Sequence, residues 1–263
     1  MLPLARAGAV RGRVVSAHRA ALNLLCSDRL VTCGLDELGA LPNGITVAGP
    51  DDLRMIATAG DDVIVDVSSA ISWSPLLLPF ADLPSTQAVE RAALAAAARA
   101  PAGGFGPLLR SLDEEDGDLF RAAARPALRA LLAAVQRGER RASETVATSL
   151  VGLGAGLTPS GDDVLVGFTA ALTAARHTLA RPIARAVAGA GARTTLIART
   201  YLDHAARGDY AERVHELTAA VAAGDQVQVV RGMSWGATSG ADLVLGILLG
   251  ARAGWAPSEA RAA

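Results

Sequence analysis

Residues 152–167 read Gly-Leu-Gly-Ala-Gly-Leu-Thr-Pro-Ser-Gly-Asp-Asp-Val-Leu-Val-Gly, and residues 236–246 read Gly-Ala-Thr-Ser-Gly-Ala-Asp-Leu-Val-Leu-Gly. With Ser239 set on Ser160, both copies carry Ser-Gly-x-Asp, three apolar residues and a glycine, at an offset of 79 residues. Each copy runs into a stretch, 164–175 and 243–251, that is apolar nearly all round, the mark of a helix enclosed in a core. Gly167 and Gly246 would let two such helices pack closely.

The plainest account of Ser-x-x-Asp before an apolar run is a capping box, with Thr158 or Ser160 as N-cap and the carboxylates complementing the helix dipole. Three features go beyond it. Gly161 and Gly240 follow the serines, where glycine costs up to ~1 kcal/mol against alanine and a cap does not ask for it. Asp162 is a second carboxylate that capping leaves without a task. Gly152, Gly154 and Gly156 allow the preceding loop left-handed angles and inward-facing amides. If the copies meet in space, their helix N-termini would aim amides at one small anion, a phosphate or carboxylate. The string is not a dinucleotide fingerprint, because the third glycine would fall at Pro159.

Working outward, the segment downstream of residue 84 reads as helix and loop: 87–99, 119–136, 163–179, 182–188, 194–206, 210–223, 226–231 and 242–253. Upstream, from about Gly12 to Val67, short β-branched pieces (14–15, 30–32, 45–47, 63–65) alternate with turns such as Pro42-Asn43-Gly44. Ser68 to Pro84, with prolines at 75, 79 and 84, cannot be a regular helix and reads as a boundary. The fold class expected is α+β: a small antiparallel β unit, barrel or sandwich, over 1–80, then an α-helical domain over 81–263 that carries both motifs.

Composition removes whole classes of function. With 25 basic and 26 acidic residues, a net charge of -1 and 3% aromatics, there is neither the charge nor the stacking surface of a nucleic-acid binder. All the basic residues are arginines, so a Walker lysine, a Schiff-base lysine and a kinase-type lysine are excluded. Cys26 and Cys33 have no CxxC spacing and no histidine cluster beside them, which speaks for free thiols. Arginines at 6, 11 and 13 interrupt the apolar stretch a signal peptide needs, and no uncharged run reaches the ~18 residues of a membrane span, so a cytoplasmic protein is expected.

The remaining candidates are few. Arg193-Thr194-Thr195 with Arg199 sets hydroxyls and guanidiniums at a helix start, and Arg199 could clamp an oxyanion. The four histidines, at 18, 177, 204 and 215, lack spaced partners and read as packed or solvated. Trp73 and Trp235 read as core or interface rings.

Taken together, Gly-Leu-Thr-Pro-Ser-Gly-Asp-Asp (156–163), Thr-Thr (194–195), Ala-x-x-Gly (205–208) and Thr-Ser-Gly-x-Asp (238–242) resemble a bacterial domain-of-unknown-function family that includes the AllH subunit of oxamate carbamoyltransferase. Asn23 and Ser-Ala-x-x-Trp (69–73) extend the likeness toward the N-terminus, while Ala198 stands where a serine is expected after Thr-Thr-x-Ile. The resemblance implies a subunit in allantoin and purine degradation that, with partner carbamoyltransferase subunits, converts carbamoyl-oxamate and phosphate into oxamate and carbamoyl phosphate. On this reading Thr158, Ser160, Gly161, Thr194, Thr195, Arg199, Ser239, Gly240 and Asp242 bind the substrate, and Asp162 or Asp163 serves as base or as a ligand to Mg2+. Two alternatives stand beside it: a non-catalytic scaffolding or anion-binding subunit, and a metal-dependent amide or phosphate hydrolase.

Overall fold

The computed structural model describes residues 8–114 and 117–255. Five strands, β1 (Ala9–Ala17), β2 (Ala21–Cys26), β3 (Arg29–Gly34), β4 (Gly44–Thr46) and β5 (Asp62–Asp66), precede nine helices among the described residues. The helices are α1 (Thr86–Ala98), α2 (Leu119–Gln136), α3 (Arg140–Ser149), α4 (Ser160–Ala174), α5 (Ala180–Gly189), α6 (Leu196–Ala205), α7 (Glu212–Ala223), α8 (Gln226–Met233) and α9 (Ser239–Gly254). The fold is α+β, with the strands first and the helices after them. It divides into two compact units, one up to Leu76 together with Ala211–Arg213, the other Leu77–Tyr210 with the chain from Val214 onward.

In the first unit the strands form one sheet in the order β4-β3-β2-β1-β5. Its pairs are antiparallel except β3–β4, where Thr32, Cys33 and Gly34 run parallel to Gly44, Ile45 and Thr46. One face buries Val14, Leu22, Leu24, Cys33 and Leu35 against Leu53 and Ala57, an apolar cluster that fixes the register, since a one-residue slip would turn every one of them outward. Asn23 is buried, donating to Ser16 Oγ and accepting from Thr32 Oγ1 at 2.8 Å, so its polar groups are satisfied within the sheet. The cysteines are free.

In the second unit α4 and α9 are the central elements. Every residue of α4 except Thr173 is buried, and on α9 all but Ser239, Leu243 and Arg252 are. Around them Val89, Ala92 and Ala96 of α1, Leu217 and Val221 of α7, Val229 of α8 and Val244, Ile247 and Leu248 of α9 make one apolar cluster. Each large aliphatic side chain enclosed this way contributes roughly 1.5–3 kcal/mol of burial. No helix among the described residues is long and apolar enough to cross a membrane.

The two central helices cross with their backbones nearly touching. A methyl group on Gly167 would lie 2.3 Å from the Leu243 carbonyl oxygen, and one on Gly246 would lie 2.1 Å from that of Val164. Residues 243 and 164 are separated by the same 79 positions as the two serines, so the contacts are the reciprocal pair of a local two-fold. That symmetry brings the two motif turns together.

Candidate functional site

The motif helices begin three residues earlier than the sequence pattern suggests, and no capping box forms. Pro159 and Thr238 hold the N-cap positions, neither helix has a side-chain cap hydrogen bond, and Ser160 and Ser239 are the first helical residues. The hydroxyls and carboxylates are therefore released for other contacts, which the two-fold directs across the junction. Thr158 Oγ1 lies 2.9 Å from Ser239 Oγ, joining the two turns directly. The hydroxyls of Ser239 and Thr158 act on the Asp163 carboxyl, and that of Ser160 acts on Asp242. Each motif's acid thus meets the other motif's serine.

Gly161 and Gly240 serve the same geometry. A methyl group on Gly161 would sit 2.1 Å from the Leu150 carbonyl oxygen, and one on Gly240 would sit 2.1 Å from that of Gly232. The close approach foreseen at these glycines is made by the chain's own backbone. Their amides are engaged as well, Gly161 N–H donating to Leu153 O at 2.8 Å and Gly240 N–H to Trp235 O at 2.9 Å.

The three acids have different surroundings. Asp162 is spent inside the chain: Oδ1 accepts from Gly152 N–H at 3.1 Å and Oδ2 from Thr194 Oγ1 at 2.5 Å. In the second motif its place is taken by Ala241. Burial lifts the Asp162 carboxyl above its ordinary range, and Thr194, the Gly152 amide and the Arg193 charge pull it back. Asp242 Oδ1 accepts from Phe105 N–H at 2.7 Å; burial raises this acid, while Ser160, that amide and Thr238 oppose the rise. Asp163 is 6% exposed and held well above the usual carboxylate value, first by burial and further by the Asp242 and Asp162 charges, with the Ser239 and Thr158 hydroxyls opposing. A carboxyl without a cation beside it in a low-dielectric interior holds its proton to higher pH.

Asp163 Oδ2 and Asp242 Oδ2 are buried and have no hydrogen-bond partner among the described residues. Thr158, Thr238 and Ser239 are half-buried residues, flanked in the chain by the exposed residues 155–157 and 236–237. An unsatisfied buried acceptor costs about 1–3 kcal/mol.

The remaining candidates lie to one side. Thr195 caps α6, accepting from Ala198 N–H at 3.1 Å, and donates to the Leu157 carbonyl. Thr194 and Thr195 therefore tie α6 to the motif loop. Arg199 is exposed, 3.8 Å from Asp203, with its aliphatic stem against Gly191. No group of three or more His, Cys, Asp or Glu side chains among the described residues is arranged to hold a metal ion. Gly104 and Phe105, which face Asp242, escaped the sequence reading because a backbone amide has no signature in the residue pattern. The only hint was the glycine pair 103–104 in the break after α1.

One family model matches the chain, that of the oxamate carbamoyltransferase subunit AllH, over residues 150–251. The match starts at the end of α3, takes in both motifs and runs to the last turns of α9. No curated protein and no solved structure shows a detectable match to the chain.

Proposed function

We propose that the chain is a subunit of an oxamate carbamoyltransferase-type enzyme and that the α4–α9 junction holds a small carbamoylated acid. The observation that carries this reading is the pair of unpartnered buried oxygens, Asp163 Oδ2 and Asp242 Oδ2, beneath the Thr158–Ser239 contact and within the stretch the family model covers. A carbamoyl group ends in –NH2, whose two N–H donors complement two acceptors that lack donors. The half-buried Thr158, Thr238 and Ser239 hydroxyls would accept from or donate to the rest of the ligand. A bare phosphate suits the interior of this junction less well, since the Gly161 and Gly240 amides are already used and the nearest charges are carboxyl groups.

In carbamoyl transfer a phosphate oxygen attacks the carbamoyl carbon of carbamoyl-oxamate, and the bond from that carbon to the oxamate nitrogen breaks. The departing nitrogen needs a proton and the attacking phosphate loses one. Asp163, whose burial holds its proton to higher pH than in an ordinary carboxyl, would give the first and regain the second through one oxygen, while its other oxygen, Oδ2, accepts from the carbamoyl –NH2. Asp162 holds the loop rather than the ligand, and Thr194 and Thr195 anchor α6 to that loop. Arg199, exposed beside Asp203, would meet an acidic end of the ligand at the surface.

The test is single-turnover carbamoyl transfer between carbamoyl phosphate and oxamate, with the chain alone and with partner carbamoyltransferase subunits. Transfer that collapses in Asp163→Asn with the fold intact supports the reading. Transfer that needs the chain yet is indifferent to Asp163 and Asp242 would make it a scaffold. Hydrolysis abolished by a chelator would make it a metal-dependent hydrolase.

A further inference from the structure

The Gly104–Phe105 peptide joins Arg121 to Asp242. Its carbonyl oxygen accepts from Arg121 Nη1 of α2 at 3.0 Å, and its N–H donates to Asp242 Oδ1 at 2.7 Å. The peptide is trans, so its C=O and N–H point to opposite sides and both bonds are made by one plane in one orientation. A guanidinium on the carbonyl draws electron density toward oxygen and makes the amide a stronger donor, the cooperative polarisation of hydrogen-bond chains in low dielectric. The plane is also held sterically: Gly104 has φ +55, and a methyl group there would lie 2.7 Å from Asp242 Oδ2.

We propose that Arg121 is a positioning residue for Asp242, fixing and polarising the Gly104–Phe105 peptide so that Asp242 is the member of the acid pair that ionises. Among the described residues, the charged groups around Asp242 include Asp163 of α4, with Asp162 beyond it, and, across the Gly104 carbonyl, Arg121 with Asp118 3.7 Å from its guanidinium. Arg121 is the cation of that set, with a side chain 14% exposed, and the peptide connects it to Asp242. Among the described residues no backbone amide donates to Asp163, which holds its proton to higher pH, so the two otherwise symmetric acids acquire different roles. This assignment concerns the ligand-free protein and does not rest on the carbamoyl reading, so either can fail alone.

The experiment is carboxyl-carbon NMR titration of the ligand-free full chain labelled at aspartate, with the Asp242 signal assigned by its loss in Asp242→Asn. In Arg121→Gln the Asp242 midpoint moves up by about one pH unit, roughly the weakening of one charge-assisted hydrogen bond. Arg121→Lys, which keeps a cation, recovers part of the shift. Gly104→Ala, which leaves the guanidinium but displaces the peptide, moves the midpoint the same way. An unmoved midpoint in a folded Arg121→Gln overturns the proposal. So does a shift in Arg121→Gln that Gly104→Ala fails to reproduce, because the charge would then act through space and not through the peptide.

Discussion

Replacing Gly246 by alanine tests whether the local two-fold at the helix crossing builds the site. The added methyl would sit 2.1 Å from the Val164 carbonyl oxygen and 2.9 Å from Phe168 N, both backbone atoms that no rotamer change can move aside. For ordinary van der Waals contact the helices must part by about 1 Å. The Thr158–Ser239 bond, now 2.9 Å, would open toward about 4 Å and be lost. Overpacking of this kind costs about 3 kcal/mol, the lost hydrogen bond about 1, and the better helix propensity of alanine returns about 1. The net is about 3 kcal/mol, or a melting temperature lowered by roughly 5–10 °C for a chain of this size. Thermal unfolding followed by circular dichroism reads it. Gly167→Ala should behave alike, and the double variant should cost less than the sum, because helices already apart accommodate a second methyl. An unchanged or raised melting temperature in Gly246→Ala would refute the close crossing and the convergence of motifs built on it.

Three further outcomes follow from the same geometry. Asp162→Ala removes the acceptor of the Gly152 amide and the Thr194 hydroxyl, so unfolding in denaturant should show a loss of about 2–4 kcal/mol, against little change if the acid only complemented the helix dipole. Burial raises the Asp163 carboxyl above its ordinary 3.8, so its contribution to stability is fully present below that pH and is lost as pH rises through the folded value. Asp163→Asn should therefore gain on the wild type as pH rises above 3.8, and a difference independent of pH would contradict the buried, uncompensated acid. His204 is lowered to about 4, by burial first and then by Arg207, with Asp209 opposing. Its contribution is present above 6.5 and lost as pH falls toward about 4, so His204→Gln should flatten the stability profile in that window, as pH-dependent denaturation would record.

How far the chain could be read in advance follows from what each feature leaves in the residue pattern. The central helices were legible because a run such as Val164-Leu165-Val166 with apolar residues on every side can only be enclosed, and α2 matches its expected bounds, 119–136. The repeat announced that two turns play the same part. Strand β2 escaped because Ala-Leu-Asn-Leu-Leu-Cys favours helix and carries a buried Asn23 whose partners lie on neighbouring strands. Helix α3 escaped because Arg-Arg-Ala-Ser-Glu-Thr-Val-Ala-Thr-Ser has little apolar content and β-branched residues, and it is tertiary packing that holds it. At the site, the serines, glycines and acids were legible as residues but not in their partners. Local pattern matching pairs Ser160 with Asp163 in a capping box, whereas Ser160 acts on Asp242 and Ser239 on Asp163 across the junction. The amides expected to face a ligand are engaged by Leu153 and Trp235, which only the loop conformations determine.

The central claim is that Asp163 Oδ2 and Asp242 Oδ2 receive the N–H donors of a carbamoylated acid. Calorimetric titration of the chain with carbamoyl-oxamate, in the wild type and in Asp163→Leu, tests it most directly, since leucine keeps the branching and heavy-atom count of aspartate and deletes the acceptors. The account predicts a folded variant whose affinity is lower by about tenfold or more. A folded Asp163→Leu that binds carbamoyl-oxamate as tightly as the wild type would contradict it.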